Sequence, residues 1–383
     1  MDISTSEDQG TSNLDITSNP EAERPSLRTA INKLVRRCNS GKRGDVVVLD
    51  IDGTVYNQTK TPDGKWVKKG DNSELSDKIT GENIPLVLIS GRVDWGAEGD
   101  EEMATYNLTK ADVIAAGAGS IIYWRGEDGQ LHLDTDYLEN LKRTKVIGRL
   151  TKDQFDGLPM DEQSHYSASE NGVNGNNVAY TREIGEYDPE QLVPTLSTLI
   201  SGIEGTRVKI DRNKGLDFTV IDLNKVSLDQ LKRMLFTLRN GLKGVTIEFS
   251  EDLKDLSGDY FTGWMQVLPS GGGKDGALRW ITNRMMDEVE VKVSKDKTNI
   301  SAHVIGDATI DIWMLATGST GDTSGRIRFI QYRLSLLTPY AASKLKPVME
   351  SLHSSGMILK SSSDLIQLTQ TGPEGVISAV RRL

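Results

Sequence analysis

A single cysteine in 383 residues, Cys38, excludes an intramolecular disulfide and any multi-cysteine metal site. It follows Arg36 and Arg37, which could depress a thiol pKa, but a lone packed or surface thiol is the ordinary expectation. No apolar run approaches the length that a membrane span requires. The amino terminus, Met1-Asp-Ile-Ser-Thr-Ser-Glu-Asp8, lacks the basic and apolar regions of a secretory signal, so cytoplasmic residence is expected. Cations are outnumbered: 45 Lys and Arg stand against 55 Asp and Glu, a formal net charge of -10. Phosphate-backbone affinity needs concentrated Lys and Arg, so nucleic acid and anionic membrane are not expected partners. A small phosphorylated ligand stays compatible, because local groups and a metal can hold it. The four histidines, His132, His165, His303 and His353, are scattered and read as structural or exposed.

What is present is an ordinary globular composition, 37% hydrophobic and 26% charged, in a chain long enough for two domains or one with a large insertion. Residues 1–25 are acidic and polar and read as a disordered tail. Leu27, Ala30, Ile31, Leu34 and Val35 then recur at helical spacing behind Ser26, an N-cap candidate. Val46 to Leu49 form a short β-branched run, the signature of a buried parallel strand. Further strands are expected at Ile84–Ile89 and Asp112–Ala116, followed by a hairpin around Arg125-Gly-Glu-Asp-Gly129. From about 135 to 258 the pattern changes. Asp188-Pro-Glu-Gln191 and Ser227-Leu-Asp-Gln230 carry helix-start signals, Arg207–Ile210, Asp217–Asp222 and Val245–Phe249 read as strands, and 170–177 reads as a loop. This describes an α+β unit inserted into a parallel-sheet α/β core whose first part is 26–134 and whose second part is 259–383, with 318–360 unassigned. Trp124, Trp264, Trp280 and Trp313 read as core.

Chemistry concentrates at strand ends. Asp50 and Asp52 close the first strand at alternate positions, so both carboxylates can address one centre at the crevice of an open α/β sheet. Their repulsion is relieved by a divalent cation or a shared proton. Ser90-Gly91-Arg92 ends the second strand. Lys274 opens a helix behind Ser270-Gly-Gly-Gly273, and because Asp275 stands where a P-loop needs Ser or Thr, nucleotide binding of that type is rejected. Gly306-Asp307-Ala-Thr-Ile-Asp311 ends a further strand. Within the insert, Arg207, Lys209, Arg212 and Lys214 form a basic cluster that could meet a sugar phosphate or lie on a solvated face.

Together, in this order, these four motifs resemble the haloacid-dehalogenase-like phosphatase superfamily, and the context of Lys274 is similar to its sucrose-phosphatase, mannosylglycerate-phosphatase and trehalose-phosphatase branch. The resemblance covers roughly residues 44 to 315, and Gly372-Pro-Glu-Gly-Val-Ile-Ser-Ala-Val380 is similar to that branch's closing helix. It implies a Rossmann-like core with a type-2 cap placed between Ser90 and Lys274. It further implies Asp50 as nucleophile, Asp52 as acid and base, Ser90 and Lys274 as catalytic companions, and Thr54, Gly91 and Arg92 as substrate-binding residues. Mg²⁺ is implied at Asp50, Asp52, Asp307 and Asp311. The expected activity is hydrolysis of a small phosphorylated metabolite, a sugar phosphate by preference. A phosphosugar mutase or phosphotransferase and a catalytically silent binding protein are the alternatives. Oligomeric state is left open.

Overall fold

The structure is a computed structural model that describes residues 20–40, 45–51, 54–55, 57–60, 66–69, 73–81, 84–91, 111–169, 179–212, 215–251, 260–292, 300–306 and 330–336, together with 350, 354, 366–367, 374 and 376–377. Asp52, Arg92, the 170–177 segment, Lys214, Asp307, Asp311 and Trp313 lie outside the described residues. In chain order the elements are α1 (Pro20–Ser40), β1 (Asp45–Leu49), β2 (Asn57–Lys60), β3 (Trp66–Lys69), α2 (Ser73–Gly81), β4 (Leu86–Ile89), β5 (Val113–Ala116), β6 (Ile121–Arg125) and β7 (Leu131–Leu133). There follow α3 (Thr135–Lys142), β8 (Lys145–Leu150), α4 (Lys152–Asp156), α5 (Met160–Gln163), β9 (Ser167–Ser169), β10 (Ala179–Glu186), α6 (Pro189–Leu199), β11 (Thr206–Asp211) and β12 (Phe218–Ser227). The remainder is α7 (Leu228–Gly241), β13 (Leu242–Lys243), β14 (Val245–Glu251), β15 (Tyr260–Pro269), α8 (Gly273–Lys292), β16 (Ile300–Gly306), β17 (Ile330–Leu336) and β18 (Ile366–Gln367).

The main sheet runs β18-β17-β16-β1-β4-β5-β6-β7, parallel from β18 to β5 and antiparallel through the β6–β7 hairpin. Side-chain alternation explains why β1 is apolar from Val46 to Leu49. Val46 and Val48 enter one buried cluster with Val87, Ile89, Val113 and Ala115, whereas Val47 and Leu49 enter a second with Leu86, Leu88, Ile114 and Ala116. Each such Val, Leu or Ile side chain contributes about 1.5–3 kcal/mol when taken from water. Leu27, Ala30, Ile31, Leu34, Val35 and Cys38 of α1 form the stripe that covers the first of these faces.

Helix α1 starts at Pro20, so Ser26 is inside it rather than capping it, and the expected tail is shortened. Proline suits a first helical turn, and Glu21, Ala22 and Glu23 are strong helix formers there. The unassigned stretch 318–360 contains β17, which extends the parallel sheet beside β16. Near the carboxyl terminus, Glu374, Val376 and Ile377 are helical, and the last two join the cluster that holds Leu49.

Between β7 and α8 the chain forms two antiparallel sheets, β13-β8-β10-β9 and β11-β12-β15-β14. Helix α7 begins with the expected box: Ser227 Oγ accepts from the Gln230 N–H, and the Gln230 side chain reaches back to the Ser227 N–H. Its Leu231, Met234, Leu235 and Leu238 are buried. Asp188 caps α6, accepting from the Glu190 N–H. Two members of the basic cluster are paired with carboxylates: Lys209 lies 2.9 Å from Asp222, and Arg212 bridges Glu190 and Asp217. Strand β15, grouped with the core by the sequence division at 258/259, pairs with β12 and β14 of the insert and then runs through Ser270–Gly272 into α8.

Candidate active site

Three adjacent parallel strands, β16, β1 and β4, present their carboxyl ends to one edge of the sheet. Asp50 is the first residue beyond β1, and its N–H donates to the Ile305 carbonyl of β16 at 3.1 Å. Ser90 is the first beyond β4, tied to β5 through its N–H and the Ala115 carbonyl at 2.9 Å. Both side chains are buried. Past Asp50 the backbone closes a tight turn, with the Thr54 and Val55 N–H groups both on the Ile51 carbonyl, at 3.3 and 2.9 Å. Thr54 is buried, whereas Gly91 is exposed with open space around its Cα.

Lys274 arrives from the first turn of α8. Its Nζ donates to Asp50 Oδ1 at 2.7 Å, and the two residues are only 1% and 4% exposed. An ammonium and a carboxylate held this close in a nearly dry position attract far more strongly than a surface pair, and each offsets the other's desolvation. Of the residues expected at the site, Asp50, Thr54, Ser90 and Gly91 follow neighbouring strand ends, and Lys274 is brought to Asp50. Gly306 ends β16 one residue before Asp307 in the sequence.

The turn that delivers Lys274 is fixed from two sides. The loop after β5 carries three consecutive residues with positive φ, Gly117, Ala118 and Gly119. At Gly119 a Cβ would overlap the Gly273 carbonyl oxygen, so glycine is what allows this loop to touch α8. Tyr137 O–H lies 2.6 Å from the Gly119 carbonyl and 3.0 Å from that of Gly271, joining the loop to the turn. Burial, with the nearby Asp275 and Glu248 carboxyls, pushes the Tyr137 phenol well above its ordinary pKa, so it stays a donor.

At the junction of core and insert, Asp134 is buried and accepts from Trp124 Nε1 at 3.1 Å, Trp280 Nε1 at 2.8 Å and the Tyr137 N–H at 3.1 Å. Arg284 flanks it, pairing with Asp136 at 2.6 Å and stacking on the Trp280 ring at 4.9 Å. The indole of Trp124 is thus core, as expected, and Trp280 is half-buried. Trp264, expected in the core, is 38% exposed instead. It falls on the sheet face shared with its register partner Asp222 and, two residues along, with Gln266 and Glu248.

Tyr137, Asp134 and the buried Glu248 carry no sequence motif of their own. The available signals are the run of three glycines that leads into α8, which offers no capping side chain, and a tyrosine three residues after an Asp N-cap.

Among the described residues no group of three or more His, Cys, Asp or Glu is close enough to hold a metal. Asp50 itself fits a hard divalent cation: it is a buried carboxylate at a strand end, the donor type such an ion takes.

No family model matches the sequence, and no curated protein matches it. Solved structures similar to it include sugar phosphatases and a haloacid dehalogenase-like hydrolase. The sucrose-phosphatase from Synechocystis, in complex with sucrose and phosphate, is 16% identical at a TM-score of 0.45, over 89% of this chain and 98% of that one. A haloacid dehalogenase-like hydrolase from Bacillus subtilis is 13% identical at 0.39, over 88% and 91%. The trehalose-6-phosphate phosphatase of Aspergillus fumigatus is 12% identical at 0.40, over 92% and 96%.

Proposed function

We propose that the protein is a Mg²⁺-dependent phosphomonoester hydrolase acting on a small sugar phosphate through an aspartyl-phosphate at Asp50. The observation that carries this is the buried contact of Lys274 Nζ with Asp50 Oδ1, 2.7 Å, beside the buried Ser90. A carboxylate fixed at a strand end, with an ammonium to balance developing charge, is suited to attack phosphorus. Asp50, with Asp52, Asp307 and Asp311, would hold the cation, which supplies charge neutralisation at the phosphoryl oxygens.

In the first step an Asp50 carboxylate oxygen bonds to phosphorus as the bond to the sugar oxygen breaks, and Asp52 gives that oxygen its proton. In the second, water attacks the phosphorus, Asp52 takes its proton, and the bond to Asp50 breaks, releasing inorganic phosphate. Lys274 fixes the rotation of the Asp50 carboxylate and balances charge in both steps. Ser90 hydrogen-bonds a phosphoryl oxygen, with Thr54, Gly91 and Arg92 around the same group. The inserted sheets, lying between Ser90 and Lys274 in the chain, form the lid that selects the leaving group.

Phosphate release from a panel of sugar phosphates, with Mg²⁺ and with EDTA, tests it in wild type and Asp50→Asn. Metal-dependent release that Asp50→Asn abolishes is expected. Folded, metal-loaded protein that releases phosphate from no monoester overturns the proposal, and transfer of the phosphoryl group between sugars without net release replaces it with a mutase.

A further inference from the structure

Helix α8 lacks a capping side chain of its own. Ser270, Gly271, Gly272 and Gly273 precede Lys274, and the first N–H groups of a helix need acceptors. The acceptor comes from across the fold. The Glu248 carboxyl, on β14 of the insert, accepts from the backbone N–H of Lys274 and of Asp275, the latter at 3.5 Å from Oε1. Gly273 has φ +87 and its missing Cβ is replaced by that carboxyl, so only glycine admits Glu248 here. Glu248 is fully buried.

A second buried carboxyl lies against it. Asp275 is within hydrogen-bonding range of Glu248 and pairs with Arg279 one turn on. Glu248 Oε2 and Asp275 Oδ1 are both buried and have no hydrogen-bond donor among the described residues. Two carboxylates cannot both satisfy those oxygens, whereas one proton between them can. Burial first, and then the Asp275 carboxylate, push the Glu248 carboxyl well above the usual range; burial also raises Asp275, against the pull of Arg279. Among the described residues, the charged or titratable side chains that act on or are acted on by the pair are Arg279 on α8 and Tyr137 on α3, while Lys274 meets Glu248 through its backbone N–H.

We propose that Glu248 is a positioning residue for Lys274: from the insert sheet its carboxyl caps the first turn of α8 and, hydrogen-bonded to Asp275, holds that turn where the ammonium meets Asp50. The catalytic part of this rests on the phosphatase reading; the capping and the proton do not. A neutral, hydrogen-bonding group is required at position 248. Glutamine meets that requirement at any pH and alanine does not.

Two measurements on the full chain test it. The first is unfolding by denaturant across pH for wild type and Glu248→Gln. A carboxyl whose folded pKa is raised stabilises the fold at low pH and loses that contribution as pH climbs to the folded value, about tenfold in the folding constant per pH unit for one proton. Wild type is expected to lose one proton's slope more than Glu248→Gln, and parallel profiles overturn the proposal. The second is the pH profile of kcat. Glu248→Gln is expected to keep kcat within about threefold below the pH at which the wild-type carboxyl titrates and to lose the wild-type decline above it, while Glu248→Ala lowers kcat by about tenfold or more with a smaller change in KM. Wild-type kcat in Glu248→Ala overturns the positioning role. If the alanine variant does not fold, ¹³C carboxyl titration of wild type decides: one glutamate titrating well above the carboxyl range and missing from Glu248→Gln supports the shared proton, and its absence overturns it. Should no substrate turn over in wild type, the phosphatase reading fails while the unfolding and carboxyl measurements still judge the pair.

Discussion

Lys274 meets Asp50 from 224 positions along the chain, its Nζ 2.7 Å from Oδ1 in a position almost closed to water. Removing one member of such a pair leaves the other buried without its counterion. Asp50→Ala is expected to destabilise the fold by about 3–5 kcal/mol. Asp50→Asn, whose amide oxygen still accepts from Nζ, costs less. Chemical denaturation of the two variants side by side checks the order; equal losses would mean the ammonium does not depend on Asp50.

For catalysis, Lys274→Ala should lower kcat by about 10²–10³-fold, the usual cost of losing a preorganised group that stabilises charge. Steady-state phosphate release gives the number. A loss under about tenfold would remove Lys274 from the chemistry.

Asp134 accepts from two indole N–H groups and caps α3. Asp134→Ala leaves both indoles without this acceptor, each costing about 1–3 kcal/mol. Asp134→Asn keeps one good acceptor and should retain part of that stability. Urea midpoints at constant m-value separate the two, and near-wild-type stability in Asp134→Ala would contradict the buried network.

Gly119 and Gly129 make a matched pair. Both have positive φ, but a Cβ at Gly119 strikes the Gly273 carbonyl and one at Gly129 meets nothing within 4 Å. Gly129→Ala should cost only the backbone preference, about 1–2 kcal/mol, and leave kcat intact. Gly119→Ala should cost more and depress kcat, because the turn carrying Lys274 must shift. Equal kcat values would show that the loop does not set that turn.

Trp264 is exposed on the insert-sheet face that also carries Glu248, whose carboxyl reaches α8. An aromatic face beside polar groups suits a sugar ring. Trp264→Ala should change stability by about 0.5 kcal/mol or less and raise KM for the preferred sugar phosphate, with kcat for the smallest monoester unchanged. Unaltered KM across the panel would place the sugar elsewhere.

The parts legible in the sequence are those whose signal is local. Val46–Leu49 announces a buried parallel strand by its own composition, and Asp50, Ser90 and Lys274 are conspicuous because each adjoins glycine or follows an apolar run. Glu248 was not legible: in Val245-Thr-Ile-Glu-Phe249 it occupies a polar position of an alternating strand, and only α8 packing on that face buries it. The same alternation puts Trp264 on a polar face, so its aromatic character misled. Strand β15 shows the limit of order along the chain, since no local pattern says which of two sheets a strand will join.

The insert leaves the core at Asp134 and returns through the turn at Gly271, and the structure ties these two crossings together. Asp134 holds Trp280 of α8 while Tyr137, one turn into α3, reaches the Gly271 carbonyl. Both crossings therefore share one set of contacts, and that set includes the backbone turn that leads into Lys274. If the inserted sheets act as the proposed lid, a displacement of either crossing would be felt at the turn that leads into Lys274, so that opening to a substrate and alignment of the ammonium would be coupled through these contacts.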